Sequence, residues 1–263
     1  MKIAVCLSRQ VRTGADVFFS LKNYIGELWD NCDFFMHTWD IETTSPHIPQ
    51  LENTSGVNPI DYEALKKIYN LCLPKVMVVD DYLKISHLYP RVQVTALFYS
   101  ILQSNKLKTE WEQRYNFKYD YVIQMRPDIL FHNSKKLLDD LELVDYDNVV
   151  FADHHARNIA YKRLCLEDVL WIAKSHVMDN VISFCEIRLQ PDFIMGGLDW
   201  QTHHKLYLES AYGYSITKMN NNLCAIYHKT GYVHGYGVHN FRGIHYNVDQ
   251  LEHLVQQDWN HET

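Results

Sequence analysis

The residues of this sequence that most suggest chemistry follow one short apolar segment. Residues 121–125 read Tyr-Val-Ile-Gln-Met, a pattern typical of a buried strand, and Arg126, Pro127 and Asp128 come directly after them. In open α/β sheets, ligands bind outside the carboxyl ends of the strands, where a cation and a carboxylate can handle phosphate and a metal ion. The structural alternative is an ion pair at a turn stiffened by Pro127. Both interpretations stay open at this point.

Polar side chains also follow other segments that resemble strands. They are Ser8, Arg9, Gln10, Arg12, Asp40, Asp80 and Asp153. Because the carboxyl ends of parallel strands meet at one edge of a sheet, we expect these side chains to lie near one another. A nucleotide would then lie over the first strand, with Arg9 or Arg12 at its phosphates and an acid near its base or ribose. A solvated loop charge is the alternative for each residue taken singly.

The elements that position these residues alternate between strand and helix. Strands are expected at residues 2–7, 33–37, 75–79, 121–125 and 149–152. Helices are expected to begin at a capping box of Thr13 and Asp16, near Asn58 and Pro59, and over residues 91–116. This alternation predicts a mostly parallel sheet with right-handed crossovers, the Rossmann-like α/β class.

Beyond residue 156 the alternation gives way to a different pattern. Helices are expected over residues 175–187, with Ser175 as the cap, and over residues 199–212. The tail is rich in Tyr, His and Gly and predicts short strands and loops. With 10 glycines and 7 prolines in 263 residues, long linkers are not expected, so we predict one compact unit spanning residues 1–263.

The composition excludes several classes of protein. The formal net charge is −7 and no run of Lys or Arg is present, so nucleic acid is a poor candidate partner. No signal peptide or membrane-spanning segment is recognisable, and the six cysteines are scattered without a Cys-x-x-Cys pair. A soluble, cytoplasmic protein with reduced thiols is expected. The motifs of P-loop enzymes, dinucleotide dehydrogenases, elbow-type serine hydrolases and zincins are missing.

Four segments together resemble nucleotide-sugar glycosyltransferases of the GT-A fold. The segments are residues 2–12, residues 33–40 (Asp-Phe-Phe-Met-His-Thr-Trp-Asp), residues 93–108 and residues 119–131. The likeness is to poorly characterised members from viruses and from bacterial surface-polysaccharide clusters, and it covers the first half in order and the second half loosely. It implies a nucleotide-sugar-binding half at residues 1–155 and a less regular acceptor-side half at residues 156–263. A viral origin would imply the host cytoplasm.

The resemblance implies roles for particular residues. In that fold an Asp-x-Asp motif binds a divalent cation, Mn²⁺ or Mg²⁺, and the donor diphosphate, and Asp128 matches its second acid. Arg126 stands in place of the first acid, and a guanidinium can itself neutralise part of a diphosphate, so either device would serve. A carboxylate beside the acceptor hydroxyl is matched by Asp168, with Glu167 as second choice, and an inverting enzyme would use it as general base. A helix cap or salt bridge is the alternative for that pair. His234 matches a late histidine that some members use as a metal ligand.

The function expected from the resemblance is transfer of a sugar from a nucleotide-diphosphate-sugar donor to a carbohydrate hydroxyl, of the hexosyl or pentosyl class. The partners would be the donor and a glycan acceptor. A catalytically silent nucleotide- or glycan-binding module derived from this fold is the first alternative, because the Asp-x-Asp position is altered. A metal-dependent hydrolase built on the histidine-rich tail and His154-His155 is the second.

Overall fold

The structure is a computed structural model, and it describes residues 1–43, 57–88, 92–152, 169–190, 200–219, 224–227 and 233–235, together with residues 250, 253 and 256. The strands in the described residues are β1 (Ile3–Ser8), β2 (Cys32–Trp39), β3 (Ile41–Thr43), β4 (Val57–Pro59), β5 (Val76–Asp80), β6 (Tyr121–Met125), β7 (Ile129–Phe131), β8 (Asn148–Phe151), β9 (Leu170–Lys174), β10 (Ser215–Lys218), β11 (Cys224–Tyr227) and β12 (Val233–Gly235). The helices are α1 (Gly14–Ile25), a 3₁₀ helix (Gly26–Asn31), α2 (Tyr62–Cys72), α3 (Tyr82–Leu88), α4 (Val92–Tyr115), α5 (Leu137–Leu141), α6 (Ser175–Leu189) and α7 (Trp200–Tyr212).

Within the described residues, seven strands form a central sheet in the order β10-β8-β9-β6-β1-β2-β5. The strands β6, β1, β2 and β5 are parallel neighbours, and β10 is parallel to β8. Strand β9 runs antiparallel to both of its neighbours. The predicted α/β class, with a central and mostly parallel sheet flanked by helices, is confirmed.

The two faces of β1 show where the core lies. All of its residues are buried, and successive side chains of a strand point to opposite faces. Ile3, Val5 and Leu7 pack in one apolar cluster with α1, α2 and α5, whereas Ala4 and Cys6 pack in another with α4, α6 and α7. The central sheet is therefore covered by helices on both faces, which leaves its edges for polar groups.

Two expected helix starts differ from the observed ones, and a third helix begins where expected but without its expected side-chain cap. Helix α2 begins after Asp61, whose carboxylate accepts hydrogen bonds from the backbone N–H groups of Glu63 and Ala64 at 3.1 and 3.0 Å, so an N-cap three residues later than expected is used. Thr13 precedes α1 without a side-chain capping bond. Ser175 begins α6, but its hydroxyl donates to Glu112 at 3.0 Å rather than capping the helix.

Two smaller sheets accompany the central one in the described residues. Strands β3 and β4 pair antiparallel, and β11 joins β7 to β12. Strand β7 lies three residues after β6, so the turn at 126–128 connects the central sheet to the β7 sheet. None of the described helices is long and apolar enough to cross a membrane. The division at residue 155 into two halves stays a prediction.

Candidate active site at the carboxyl edge of the sheet

The polar residues that follow β1, β2, β5 and β6 lie at one edge of the sheet. In the parallel registers Leu7 pairs with Met125, Ser8 pairs with His37, and Trp39 pairs with Asp80. Each of these residues lies within two residues of the carboxyl end of its strand. The expected gathering of strand ends is confirmed, and it brings the loop at residues 9–12 beside the turn at 126–128.

The turn after β6 contains a bidentate ion pair. Arg126 Nε donates to Asp128 Oδ1 at 2.8 Å, and Arg126 Nη2 donates to Asp128 Oδ2 at 2.7 Å. The Arg126 side chain is 13% exposed and that of Asp128 is 1% exposed. A planar guanidinium that meets a carboxylate through two parallel bonds is fixed in orientation as well as neutralised. The pair therefore holds Arg126 in place at the end of the central sheet.

Arg12, from the loop after β1, faces the same carboxylate. Its Nη1 lies 3.9 Å from Asp128 Oδ2, and its Nε donates to Gln10 Oε1 at 2.9 Å. The charge of Arg9, in the same loop, also lowers the pKa of the Asp128 carboxyl. We call Arg9, Arg12, Arg126 and Asp128 the arginine cluster.

The charge on Asp128 is maintained by its arginine neighbours. Burial alone would raise the pKa of this carboxyl, but the charges of Arg126, Arg12 and Arg9 and the hydrogen bonds from Arg126 outweigh burial and lower the pKa below the usual 3.8. Asp128 is consequently a carboxylate at neutral pH. Arg126 and Arg12 thus lie against an ionised Asp128.

The backbone that presents the two loop arginines is unusual. Arg9 has a φ of 91° and Arg12 a φ of 43°, in the region that side chains other than glycine rarely adopt. Such conformations cost about 1–3 kcal/mol each and tend to cluster at functional sites. The conformation of the loop at residues 9–12 is therefore locally unfavourable, and the rest of the fold must stabilise it.

Helix α1 begins next to the turn that carries Asp128. A Cβ added to Gly14 would lie 3.0 Å from the Pro127 carbonyl oxygen and 3.0 Å from Ile68 Cδ1, so a larger residue would force the neighbouring atoms to move by a few tenths of an ångström. The positive end of the α1 dipole consequently lies at the same edge as the arginine cluster. A helix N-terminus favours anions, and it adds to the positive potential of the loop.

A chain of hydrogen bonds connects the loop to Asp80 on β5. The Arg9 N–H donates to Ser100 Oγ at 2.6 Å, and Ser100 Oγ lies 2.8 Å from His37 Nδ1. His37 Nε2 lies 3.1 Å from Asp80 Oδ2, which also accepts from the Tyr99 hydroxyl at 3.0 Å. We call this set of five residues the Asp80 relay.

The direction of each hydrogen bond in the Asp80 relay follows from which groups can only donate and which can only accept. Ser100 Oγ accepts from Arg9, so its hydroxyl hydrogen is available for His37 Nδ1, and Nε2–H of a neutral His37 then donates to Asp80. Burial lowers the pKa of His37 below 6.5, although Asp80 acts in the opposite direction. A neutral imidazole therefore holds Ser100, and through Ser100 it holds the backbone of Arg9.

Two predicted residues have structural partners at this edge. The Ser8 hydroxyl is buried and accepts from Gln124 Nε2 at 2.8 Å. Asp40 Oδ1 accepts from the N–H of Tyr82 at 2.9 Å and so caps the start of α3. A direct contact of Ser8 with a donor stays a prediction.

The donors around Asp128 do not fit a divalent cation. Both carboxylate oxygens accept hydrogen bonds from Arg126, so Mn²⁺ or Mg²⁺ at Asp128 would have to displace that guanidinium while Arg12 lies 3.9 Å from Oδ2. Within the described part of the chain, no group of three or more His, Cys, Asp or Glu side chains is arranged to hold a metal ion. Strand β12 places residue His234 opposite Ile226, which pairs with Ile129, but the His234 side chain lies outside the described part, so its role as a ligand stays a prediction.

The predicted catalytic acids Asp168 and Glu167 and the strand-end residue Asp153 lie outside the described residues. Their roles as base or ligand stay predictions. After Glu167 and Asp168 the described residues resume at 169 and lead into β9, which begins at Leu170 beside β6. The Arg126 N–H donates to the Val169 carbonyl at 3.2 Å, so residue 169 lies at the same edge as the arginine cluster.

The sequence did not predict the Asp80 relay as a unit. Ser100 belongs to a face of α4 whose side chains are small or polar, with Gln93, Ala96 and Gln103, and that pattern suits either solvent or the wall of a site. His37 falls inside a strand whose neighbours are apolar, and nothing in its local pattern marks it as a hydrogen-bonding partner. The separation of 63 residues between His37 and Ser100 explains why only the fold brings them together.

No family model matches this sequence, and no curated protein matches it significantly. Among solved structures, the chain is similar to a mannosyltransferase, PcManGT from Pyrobaculum calidifontis, in complex with GDP-Man and Mn²⁺, at 11% identity and a TM-score of 0.46, over 85% of this chain and 56% of that one. The chain thus spans little more than half the length of that protein.

Two other glycosyltransferase structures are similar at comparable levels. Mouse xyloside xylosyltransferase 1 in its apo form is 8% identical with a TM-score of 0.42, over 83% of this chain and 84% of that one. The glycosyltransferase GlyE from Streptococcus pneumoniae TIGR4, also in its apo form, is 10% identical with a TM-score of 0.37, over 84% and 46%. At these identities and TM-scores the likeness does not establish an activity for this chain.

Proposed function

We propose that this chain is a GT-A-like glycosyltransferase that moves a sugar from a nucleoside-diphosphate-sugar donor to a hydroxyl of a carbohydrate acceptor. The observation that carries the proposal is the arginine cluster at the carboxyl edge of the sheet, where Arg126 and Arg12 surround the buried Asp128. Guanidinium groups bind diphosphate oxygens through paired hydrogen bonds, and ligands of open α/β sheets bind at this edge.

The Asp80 relay supports the placement of the nucleoside. Asp80 is half-buried on β5, two strands from β1, and its carboxylate is fixed by Tyr99 and His37. A carboxylate held in this way accepts hydrogen bonds from ribose hydroxyls or from a base. A donor with its diphosphate at Arg12 and Arg126 would therefore extend over the end of β1 toward Asp80.

The reaction requires stabilisation of a diphosphate leaving group. Negative charge grows on the leaving oxygen as the bond to the sugar breaks, and fixed donors in a partly buried site stabilise that charge. Asp168 would accept the proton of the acceptor hydroxyl in an inverting reaction, with Glu167 as the second choice, and these two roles rest on the resemblance alone. The predicted cation at Asp128 and His234 has no step in this proposal, because the donors around Asp128 do not fit it.

A thermal-shift panel of nucleoside diphosphates and nucleotide sugars, each with and without Mn²⁺ or Mg²⁺, tests the proposal. A ligand at a hundred times its dissociation constant stabilises the protein by about 2.7 kcal/mol, so one base should give a selective shift. The nucleotide sugar of that base is then tested for sugar release and transfer, which Asp168→Asn should abolish while leaving binding intact. Absence of any shift across the whole panel contradicts the proposal.

A catalytically silent binding module is the second candidate. The Arg126–Asp128 pair favours it, because this pair stands where the resemblance implies an Asp-x-Asp motif. The same panel distinguishes the two candidates: a nucleotide sugar that binds but is neither hydrolysed nor transferred, with or without Asp168→Asn, supports the module over the enzyme.

A further inference from the structure

We infer that the guanidinium groups of Arg12 and Arg126 take the place of a divalent cation, so that the donor diphosphate binds to this chain without metal. The inference rests on the proposed function and states how the same site recognises its ligand. It is carried by the geometry of the arginine cluster in the described residues.

The first step concerns Asp128, the residue that would have to bind a cation. Its two oxygens are engaged at 2.8 and 2.7 Å by Arg126, and Arg12 lies 3.9 Å away. A cation could reach these oxygens only by displacing a bidentate pair in a site where Asp128 is 1% exposed. Both oxygens of the Asp128 carboxylate are therefore used to orient Arg126.

The second step concerns charge. The guanidinium groups of Arg126 and Arg12 lie 2.7 and 3.9 Å from Asp128 Oδ2, and the N-terminus of α1 lies at the same edge. Guanidinium groups and a helix N-terminus favour a diphosphate and disfavour a divalent cation. Among the described residues, the arginine cluster thus already provides the positive charge that a cation would supply to the diphosphate.

The third step concerns fixed geometry. The Arg126 side chain is held by Asp128, and that of Arg12 by Gln10 Oε1 at 2.9 Å. The backbone of Arg9 is held at a φ of 91° while its N–H donates to Ser100 at 2.6 Å. Arg126 and Arg12 are 13% and 16% exposed, so their charges act in a site that excludes most water. Donors fixed before the ligand arrives bind it without a large cost of ordering.

The experiment is isothermal titration of the whole chain with UDP, GDP and inorganic pyrophosphate, first in EDTA and then with Mn²⁺. We expect the best nucleoside diphosphate to bind in EDTA with a dissociation constant within about threefold of that in Mn²⁺. Binding that is more than about tenfold weaker in EDTA overturns the inference and leaves the proposed function standing. Binding of none of the probes under either condition overturns both.

Variants assign the binding to the arginine cluster. Arg126→Lys keeps the charge but loses the planar fork, and we expect about tenfold weaker binding in EDTA, with a larger loss for Arg126→Gln. Arg114→Gln is the matched control, since Arg114 is an exposed arginine at the end of α4, and it should leave binding unchanged. Equal affinities for all of these proteins would overturn the inference.

A substitution that restores the acidic motif gives the sharpest contrast. Arg126→Asp produces Asp-Pro-Asp, which removes the guanidinium and gives a cation two carboxylates. We expect this variant to lose binding in EDTA and to regain it with Mn²⁺, the opposite of the wild-type protein. Binding by Arg126→Asp in EDTA at the wild-type affinity would overturn the inference. If the Arg126→Asp variant does not fold, the affinities of the wild-type protein in EDTA and in Mn²⁺ are sufficient to test the inference.

Discussion

Arg126 donates two hydrogen bonds to Asp128, from Nε to Oδ1 at 2.8 Å and from Nη2 to Oδ2 at 2.7 Å. The two residues are separated in sequence only by Pro127. The two oxygens of the buried Asp128 carboxylate hold Arg126 in one orientation, and we propose that this arrangement binds an anionic ligand.

Asp128→Asn should destabilise the protein by about 3–5 kcal/mol, because the substitution leaves buried guanidinium groups without their counter-charge. Urea unfolding measures this loss. Asp139→Asn, at an exposed acid on α5, is the matched control and should change stability by less than about 0.5 kcal/mol.

The pH dependence of the same variant has a definite sign. The folded-state pKa of Asp128 lies below the usual 3.8, so the stability that it contributes is fully present above pH 3.8 and is lost as the pH falls through the folded-state pKa. The stability difference between wild type and Asp128→Asn should therefore stay constant from pH 7 to about pH 5. A difference that shrinks steadily over that range would contradict the assigned ionisation.

The Asp80 relay predicts a pH effect on ligand binding. Burial keeps the pKa of His37 below 6.5, so His37 becomes protonated only as the pH falls below that value, and a protonated Nδ1 no longer accepts from Ser100. As the pH falls below 6.5, the affinity of the wild-type protein for a nucleoside diphosphate should weaken more than the affinity of the His37→Asn variant. The asparagine of that variant keeps a hydrogen-bond acceptor but does not titrate.

The measurement is the dissociation constant of the wild-type protein divided by that of His37→Asn, determined at several pH values from 5.5 to 7.5. Protonation of the ligand affects both proteins equally and cancels in this ratio. His176→Asn, at an exposed histidine on α6, is the control and should follow the wild-type profile. Parallel profiles for wild type and His37→Asn would mean that His37 does not position the loop.

A buried ionic cluster between α4 and α6 predicts a large effect on stability alone. Lys108 Nζ lies 2.7 Å from Asp179 and 3.3 Å from Glu112, and the side chains of Lys108 and Glu112 are fully buried. Lys108→Met should cost about 3–5 kcal/mol, because it leaves Glu112 buried with a weaker set of partners.

The matched control is Lys106→Met, two residues earlier on the same helix. Lys106 is 61% exposed and lies 4.0 Å from Glu110, so its removal should change stability by less than about 0.5 kcal/mol. Urea unfolding of both variants makes the comparison, and equal losses would show that burial of the pair does not govern its contribution.

Gly14→Ala tests whether the packing of α1 positions the turn at 126–128. The added Cβ would lie 3.0 Å from the Pro127 carbonyl oxygen, so α1 and the turn must move apart by a few tenths of an ångström. We expect nucleoside diphosphate affinity about three- to tenfold weaker and a stability loss of about 1–3 kcal/mol. A loss of stability with unchanged affinity would show that the packing is structural only.

Local patterns in the sequence predicted strand β6 of the central sheet and the long helix α4 that packs on it. Strand β6 has the predicted bounds of Tyr121–Met125, and helix α4 (Val92–Tyr115) lies within one residue of the predicted range at each end. Both have patterns that do not depend on distant residues. The placement of strand ends at one edge followed from the parallel class, and the observed registers agree with it.

Features that depend on tertiary contacts were not predictable. An apolar run has no direction, so the sequence did not predict that Leu170–Lys174 runs antiparallel beside β6. An ion pair of Arg126 and Asp128 was one of two open interpretations, because two charges flanking a proline can face each other or a ligand, and its bidentate geometry is seen only in the structure. The contact of His37 with Ser100 depends on the packing of α4 against β1 and β2, which no local pattern encodes.

The most direct test of the account is a crystal structure of the protein with the nucleoside diphosphate that stabilises it most. The account predicts that the diphosphate oxygens lie within hydrogen-bonding distance of the guanidinium groups of Arg12 and Arg126, with the nucleoside extending over the end of β1 toward Asp80. A nucleotide bound elsewhere, with Arg126 in contact only with Asp128, would contradict the central claim that this edge is the donor site.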